Sequence, residues 1–224
     1  MEKLSEKISS FDDAAIIVVD VQNDFCPPSG SLAVSGGREI AGSINELLAA
    51  PFALKIASRD FHPADHISFA SRHPGAQPFT STHTISNPEN PKEIQTTLLW
   101  PDHCVQGTPG CELISELETS QLDLIIDKGQ DIRVESYSAF GPPFRNPRVS
   151  MTNLEKNLKE KGIKNVYVVG LAFDFCVKHT AIDSARAGFN TTVLEAATKA
   201  VESSSEGLAA IRAEMEEAGV RIIR

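Results

Sequence analysis

The chain has 224 residues, 41% of them hydrophobic and 23% charged, with a net charge of −9. Those proportions are ordinary for a globular protein and exclude a disordered or fibrous chain; the acidic balance excludes the basic face that nucleic acid requires. The longest apolar run, residues 166–173, is about eight long and contains Gly170, far short of the ~20 residues of a membrane-spanning helix.

Residues 1–13 have no apolar core of the signal-peptide kind and read as a mobile extension to one domain over 14–224, cytoplasmic in location. Ala14–Val19 (AAIIVV) is apolar on both faces, as a central parallel strand must be when helices cover it twice. Residues 38–50 place Ile40, Ala41, Ile44, Leu47 and Leu48 at helical spacing, closed by Pro51. A second strand is expected at 54–58 and a third at 122–126, the latter preceded by a short helix near 112–117. A helix over 153–161 stops at Gly162, and VYVV at 166–169 is the next buried strand. Helix 177–187, strand 191–194, helix 206–218 and strand 220–223 complete the chain. Strands alternating with helices imply βαβ units and an open α/β fold: a mostly parallel sheet with helices on both faces.

Residues 61–110 do not fit this alternation. They hold seven of the 13 prolines and, after His62, four of the six histidines, with no sustained periodicity. A structureless loop of that length inside a domain usually carries function.

In open parallel sheets, sites form beyond the carboxyl ends of the strands. There this chain places Asp20 after the first strand, Asp60 and His62 after the second, Asp127-Lys128-Gly129 after the third, and Cys176 after the fourth, opening a helix. A thiolate is a nucleophile, and a helix N-terminus with a nearby cation lowers a thiol's pKa. Lys128 would supply that cation and Asp20 would accept the proton. The competing reading of Cys176 is a small packed residue at a strand–helix junction. His179 lies one turn into the same helix and reads as structural, since from there it would struggle to reach both thiol and leaving group. Cys26, Cys104 and Cys111 have irregular spacing, form no disulfide framework and read as packing residues.

Asp60 and His62 sit at i and i+2 of an extended segment, so both side chains point one way and would share an ion. The third ligand must come from the long loop, where His66, His73, His83 and His103 compete; Trp100-Pro101 would anchor His103. One carboxylate with two imidazoles suits Zn²⁺, Fe²⁺ or Mn²⁺.

Together, IIVVDVQNDF, SRDFHPADHISF, LLWPDHCVQGT, IDKG, ESYSAF and VVGLAFDFCVKHTAIDSA resemble, in order and spacing, the nicotinamidases of the isochorismatase-like cysteine hydrolase superfamily. The resemblance implies a three-layer, Rossmann-like fold with a six-stranded sheet. It implies a catalytic triad of Asp20, Lys128 and Cys176, and one divalent metal, most simply zinc, on Asp60, His62 and His103. It implies an oxyanion hole from the N–H groups of Ala172 and Cys176, a non-prolyl cis bond at Leu171–Ala172, and a substrate pocket of Phe25, Phe61, Trp100 and Tyr137. The implied reaction converts nicotinamide to nicotinate and ammonia through a Cys thioester in NAD salvage, with pyrazinamide as a side substrate. Other readings are a different small amide, such as an N-carbamoyl compound, or a metal-binding scaffold without turnover. Many relatives carry Trp where this chain has Phe61. The C-terminal Ile222-Ile223-Arg224 is not a Ser-Lys-Leu peroxisomal signal, which leaves import with a partner as the peroxisomal route.

Overall fold

The structure, a computed structural model, describes residues 4–8, 10–202 and 204–224. Six strands form one sheet: β1 (Ala14–Val19), β2 (Leu54–Asp60), β5 (Leu124–Lys128), β6 (Asn165–Leu171), β7 (Asn190–Lys199) and β8 (Arg221–Ile223). Their order is β5-β2-β1-β6-β7-β8, with every neighbouring pair parallel. The chain first builds outward from β1 on one side and then returns to its other side as β6. The crevice beyond the carboxyl ends of β1 and β6 is therefore the switch point at which such sheets bind ligands.

The apolar run in β1 has the predicted double burial. Ile16 and Val18 pack on one face with Ile44, Leu47 and Leu48 of helix α1 (Ala41–Leu48). Ala15, Ile17 and Val19 face the other layer, with Leu154 and Leu158 of α2 (Leu154–Glu160), Ala181 of α3 (Lys178–Arg186) and Met215 of α4 (Ser205–Glu217). All six β1 residues are fully buried, so both layers depend on this strand.

Several boundaries differ from the sequence reading, for a common reason. β2, β5 and β7 each run past the apolar residues, into Asp60, Lys128 and Lys199, because the ladder continues where hydrophobicity has stopped. The helix expected from 38 begins as a 3-10 turn at Gly37–Ile40 and becomes α-helical at Ala41. No helix forms over 112–117: Leu113 pairs with Gln22, the Ile114 N–H donates to the Val21 carbonyl at 3.0 Å, and only 3-10 turns at Pro109–Cys111 and Thr119–Gln121 flank the segment. Ile114 and Leu117 are buried there as an extended cover on the core.

The proline-rich loop is also not structureless. It contains an antiparallel hairpin, β3 (Thr82–Asn87) with β4 (Asn90–Leu98), turned by Pro88 and Glu89. The strands are mostly polar, and only Ile85, Asn87 and Thr97 are buried, so the apolar signal is nearly absent. Ile85 packs with Val134, Phe144 and Val149 in a small satellite cluster.

Of the extension expected to be mobile, residues 1–3 and 9 lie outside the described residues. Within them, Leu4–Lys7 forms a 3-10 turn, Ile8 is 8% exposed against the core, and Phe11 meets Phe52 edge-on at 5.0 Å. No helix among the described residues is long and apolar enough to cross a membrane.

Candidate active site

The carboxyl edge collects the chemical residues around one buried ammonium. Lys128, the last residue of β5, is 1% exposed. Its Nζ lies 3.0 Å from Asp20 Oδ2, donates to the Ser136 carbonyl at 3.0 Å, contacts Asp60 Oδ1, and reaches Cys176 Sγ at 3.6 Å. Asp20 follows β1 with φ +49°, an uncommon conformation for a residue with a side chain, and such outliers persist where surroundings hold them. Its Oδ1 accepts the Ser58 hydroxyl at 2.6 Å, while Oδ2 is buried and makes no hydrogen bond beyond its ion-pair contact. A carboxylate oxygen of Asp20, one of Asp60 and the Cys176 Sγ lie within 4.8 Å of one another.

Cys176 is presented by a π-helical turn, Phe173–Val177, that leads into α3. The turn follows the cis peptide Leu171–Ala172. Gly170 makes the approach feasible: at φ +111° it lies so close to β1 that a Cβ there would meet the Val19 carbonyl oxygen at 2.2 Å.

The electrostatics correct one expectation. Burial pushes the Cys176 thiol well above its usual range; Lys128 pulls it down, but the carboxylates of Asp20 and Asp60 oppose that pull. The lowering expected from a cation and a helix start is outweighed, so the resting group is the thiol. Burial also raises Asp20, against Lys128, with Asp60 adding to the rise. At Asp60 burial favours the acid, yet Lys128 and His62 together hold the carboxyl well below the usual range. Burial disfavours the Lys128 ammonium, but Asp20 and Asp60 hold its pKa well above the ordinary value. The cluster thus pairs a fixed cation and a fixed anion with two groups able to exchange a proton.

On its other side, Asp60 faces two imidazoles. His62 Nε2 lies 3.7 Å and His103 Nε2 3.8 Å from Asp60 Oδ2. Each ring is oriented by its other nitrogen: His62 Nδ1 to the Gly129 carbonyl at 2.8 Å, His103 Nδ1 to the Pro101 carbonyl at 2.8 Å. If each Nδ1 carries the proton it donates, both Nε2 lone pairs point at one spot, as metal-binding histidines require. Gly129 permits the first contact, because at φ +67° a Cβ would lie 2.4 Å from the His62 ring. His62 Nε2 is buried without a hydrogen-bond partner, and Asp60, His62 and His103 form one of the two groups among the described residues able to hold an ion. The donor set of one carboxylate and two neutral imidazoles fits a divalent transition metal.

The other histidines do not join this group. His66 stacks on His62 at 4.0 Å, but its nitrogens engage Ser68 Oγ and the Val134 carbonyl, and burial pushes it down to about 2. His73 and His83 lie against each other at 4.4 Å. His179 stacks on Tyr137 at 5.3 Å and is pushed down to about 4 by burial and Lys178.

A narrow pocket of about 30 Å³ opens onto these groups, lined by Phe25, Trp100 and Tyr137 together with Asp60, His103, Ala172 and Cys176. The Trp100 Nε1–H donates to the Tyr137 hydroxyl at 2.9 Å, and Phe175 meets the Trp100 ring edge-on at 5.1 Å. Phe61 is not part of this lining: partly buried, it packs against the core layer on the α1 face of the sheet, with the Arg59 guanidinium 5.0 Å from its ring centroid. Residue i+1 between two same-facing ligands points the opposite way, which accounts for its placement. The sequence reading missed Phe175, Glu135, Leu32, Val34 and Val201 in the lining, and Phe69, whose ring stands edge-on to both His62 and His103. Phe175 had a signal, one residue before Cys176; the others are brought in by contacts remote in sequence. Cys26, Cys104 and Cys111 are buried free thiols, and burial raises the first to about 11.

A wider groove follows the outer edge of β5, but its carboxylates are already engaged, Asp127 with Arg59 at 2.8 Å and Asp131 with Arg133 at 2.8 Å.

Comparison with known proteins gives a consistent picture. The isochorismatase domain model matches residues 14–223. The nicotinamidase of Acinetobacter baylyi is 45% identical over 199 residues, 89% of this chain and 87% of that protein. The crystal structure of the yeast nicotinamidase bound to the inhibitor nicotinaldehyde superposes with a TM-score of 0.87 at 34% identity, covering 94% of this chain and 99% of the yeast chain. The pyrazinamidase of Pyrococcus horikoshii in complex with zinc superposes with a TM-score of 0.71 at 33% identity, covering 95% of this chain and 99% of that one.

Proposed function

This chain belongs to the isochorismatase family, and from that premise we propose that it is a metal-dependent nicotinamidase, converting nicotinamide to nicotinate and ammonia with Cys176 as nucleophile. The observation that supports this reading is one aromatic-walled pocket lined by Cys176 and by Asp60 and His103 of the Asp60–His62–His103 group. A flat heteroaromatic amide has one end for each.

In the proposed mechanism, Asp20 takes the Cys176 proton as sulfur attacks the carboxamide carbon. Its raised pKa suits that role, and the neighbouring Lys128 ammonium stabilises the thiolate as it forms. The oxyanion would be held by the N–H groups of Ala172 and Cys176; each such donor is typically worth ~3 kcal/mol. Asp20 returns the proton to the departing nitrogen, leaving ammonia and a Cys176 thioester. Water then attacks the thioester carbon while Asp20 takes its proton; nicotinate leaves, and Asp20 reprotonates the sulfur.

Asp60, His62 and His103 would hold the metal, zinc in the simplest reading with iron or manganese as alternatives. A metal held there would supply a Lewis acid beside the substrate ring. Phe25, Trp100 and Tyr137 would clasp the ring and exclude water. The product is a substrate for pyridine nucleotide salvage.

The experiment is ammonia release by purified protein from nicotinamide, pyrazinamide and an N-carbamoyl amide. Preference for the pyridine amide is expected; turnover of the N-carbamoyl compound alone would move the chain to another amidase class. The zinc-bound relative supports pyrazinamide as the second substrate to assay.

A further inference from the structure

The mouth of the pocket is built by residues that the proposed chemistry does not use. Leu32, half-buried, and Val201, in the segment between β7 and α4, are the more open of these, while Val34 is buried beside them in the lining. Val201 is 46% exposed, whereas Cys176, Asp60 and His103 are buried, so it lies at the entrance rather than the floor. The hydrogen bonds that fix it come from the nucleophile's own turn. Asp174, two residues before Cys176 and 7% exposed, accepts the Val201 N–H at 3.0 Å through Oδ1 and the Glu202 N–H at 2.7 Å through Oδ2. Both carboxylate oxygens therefore grip consecutive backbone donors, and charge-assisted bonds of this kind are roughly twice as strong as neutral ones. At the start of the same segment, Lys199 Nζ lies 3.1 Å from Glu39 Oε2 on the turn Gly37–Ile40. The turn that carries the sulfur thus also holds the backbone of Val201 in the pocket lining.

We propose that Val201 is a specificity-determining residue and Asp174 the positioning residue that fixes it. Together they restrict the pocket to primary amides of a single unsubstituted heteroaromatic ring. This rests on the amide-hydrolase reading above and adds its size limit. Because Val201 lines the same pocket as Cys176, its apolar side chain would narrow the room left for a ring substituent. In a hydrophobic pocket, one methylene discriminates by roughly 10-fold or more.

The test compares kcat/KM for nicotinamide with that for ring-methylated and ring-ethylated nicotinamides. Val201→Ala is expected to raise the substituted-to-unsubstituted ratio by about 10-fold. Asp174→Ala is expected to shift the ratio in the same direction, with a higher KM for nicotinamide. Asp174→Asn, which keeps one acceptor oxygen, is expected to fall between, and the double alanine variant to exceed Val201→Ala by little. A residue serving folding alone would lower turnover of all the amides alike and leave the ratio where it was. Because Val201 is at the surface, its variant keeps the test open even if Asp174→Ala fails to fold. Wild-type turnover of nicotinamide with an unchanged ratio in Val201→Ala would overturn this inference alone. No wild-type turnover of any of the amides would overturn the parent reading and this inference with it.

Discussion

Single residues in this site owe their character to neighbours more than to their own type. Cys176 is one of four buried free cysteines, yet among them only its sulfur lies beside a buried ammonium and a carboxylate oxygen without a hydrogen bond. The position of Cys176 was legible from its place after a strand. Its charge state was not, because burial and two carboxylates outweigh the lysine, a balance set by residues up to 156 positions away. With Asp20 as the proposed proton acceptor, a pH dependence follows. Asp20 acts only when ionised, so activity is full above its pKa and is lost as pH falls through it. Burial raises that pKa above the ordinary aspartate value of 3.8. The acid limb of kcat/KM is therefore expected above pH 3.8, and Asp20→Asn is expected to abolish turnover at every pH. A rate that stays flat to pH 3.8, or an asparagine variant with wild-type activity, would remove Asp20 from proton transfer.

At the scale of elements, the site is made by strand ends and the turns that leave them. The strands that carry it were legible because central parallel strands are apolar on both faces, as in AAIIVV and VYVV. The hairpin β3–β4 was not, because a polar ribbon packed on one side by Ile85 leaves almost no hydrophobic period. The placement of Phe61 likewise depends on strand alternation, which turns it from the pocket while Asp60 and His62 face inward. Glu135 and Phe69 reach the site through contacts that no local pattern encodes. Gly170 offers a direct test of how β6 delivers the turn. Its Cβ would meet the Val19 carbonyl oxygen at 2.2 Å and its φ is +111°, so Gly170→Ala must move a fully buried strand. A loss of about 2–4 kcal/mol in urea unfolding is expected, with activity falling further than stability. A loss under about 0.5 kcal/mol, the range of an ordinary surface substitution, would mean that β1 and β6 have more freedom than this packing allows.

Across the whole molecule, the two halves of the site arise from different parts of the chain. The sheet supplies Asp20, Asp60, Lys128 and the turn bearing Cys176, while the long excursion after β2 supplies His103 and Trp100. An ion held by Asp60, His62 and His103 would therefore tie the excursion to the sheet and stabilise the fold as well as serve the reaction. A ligand that binds only the folded state adds about 2.7 kcal/mol at 100 times its Kd. Chelation followed by dialysis is accordingly expected to lower the melting temperature, with zinc restoring it. His62→Ala should lack both bound metal by elemental analysis and that response. A melting curve unmoved by chelation of a protein shown to contain metal would separate the ion from the fold. The acidic charge of −9 stands apart from this chemistry, since the proposed substrate is a small neutral amide.

Everything proposed for this site depends on attack by Cys176 on the amide of nicotinamide, so the decisive comparison is ammonia release by the wild-type protein and by Cys176→Ala. Turnover by the wild type is expected, with a fall of about 10⁴-fold or more in the variant and the fold retained by circular dichroism. Ammonia release by the folded variant at the wild-type rate would contradict attack by Cys176.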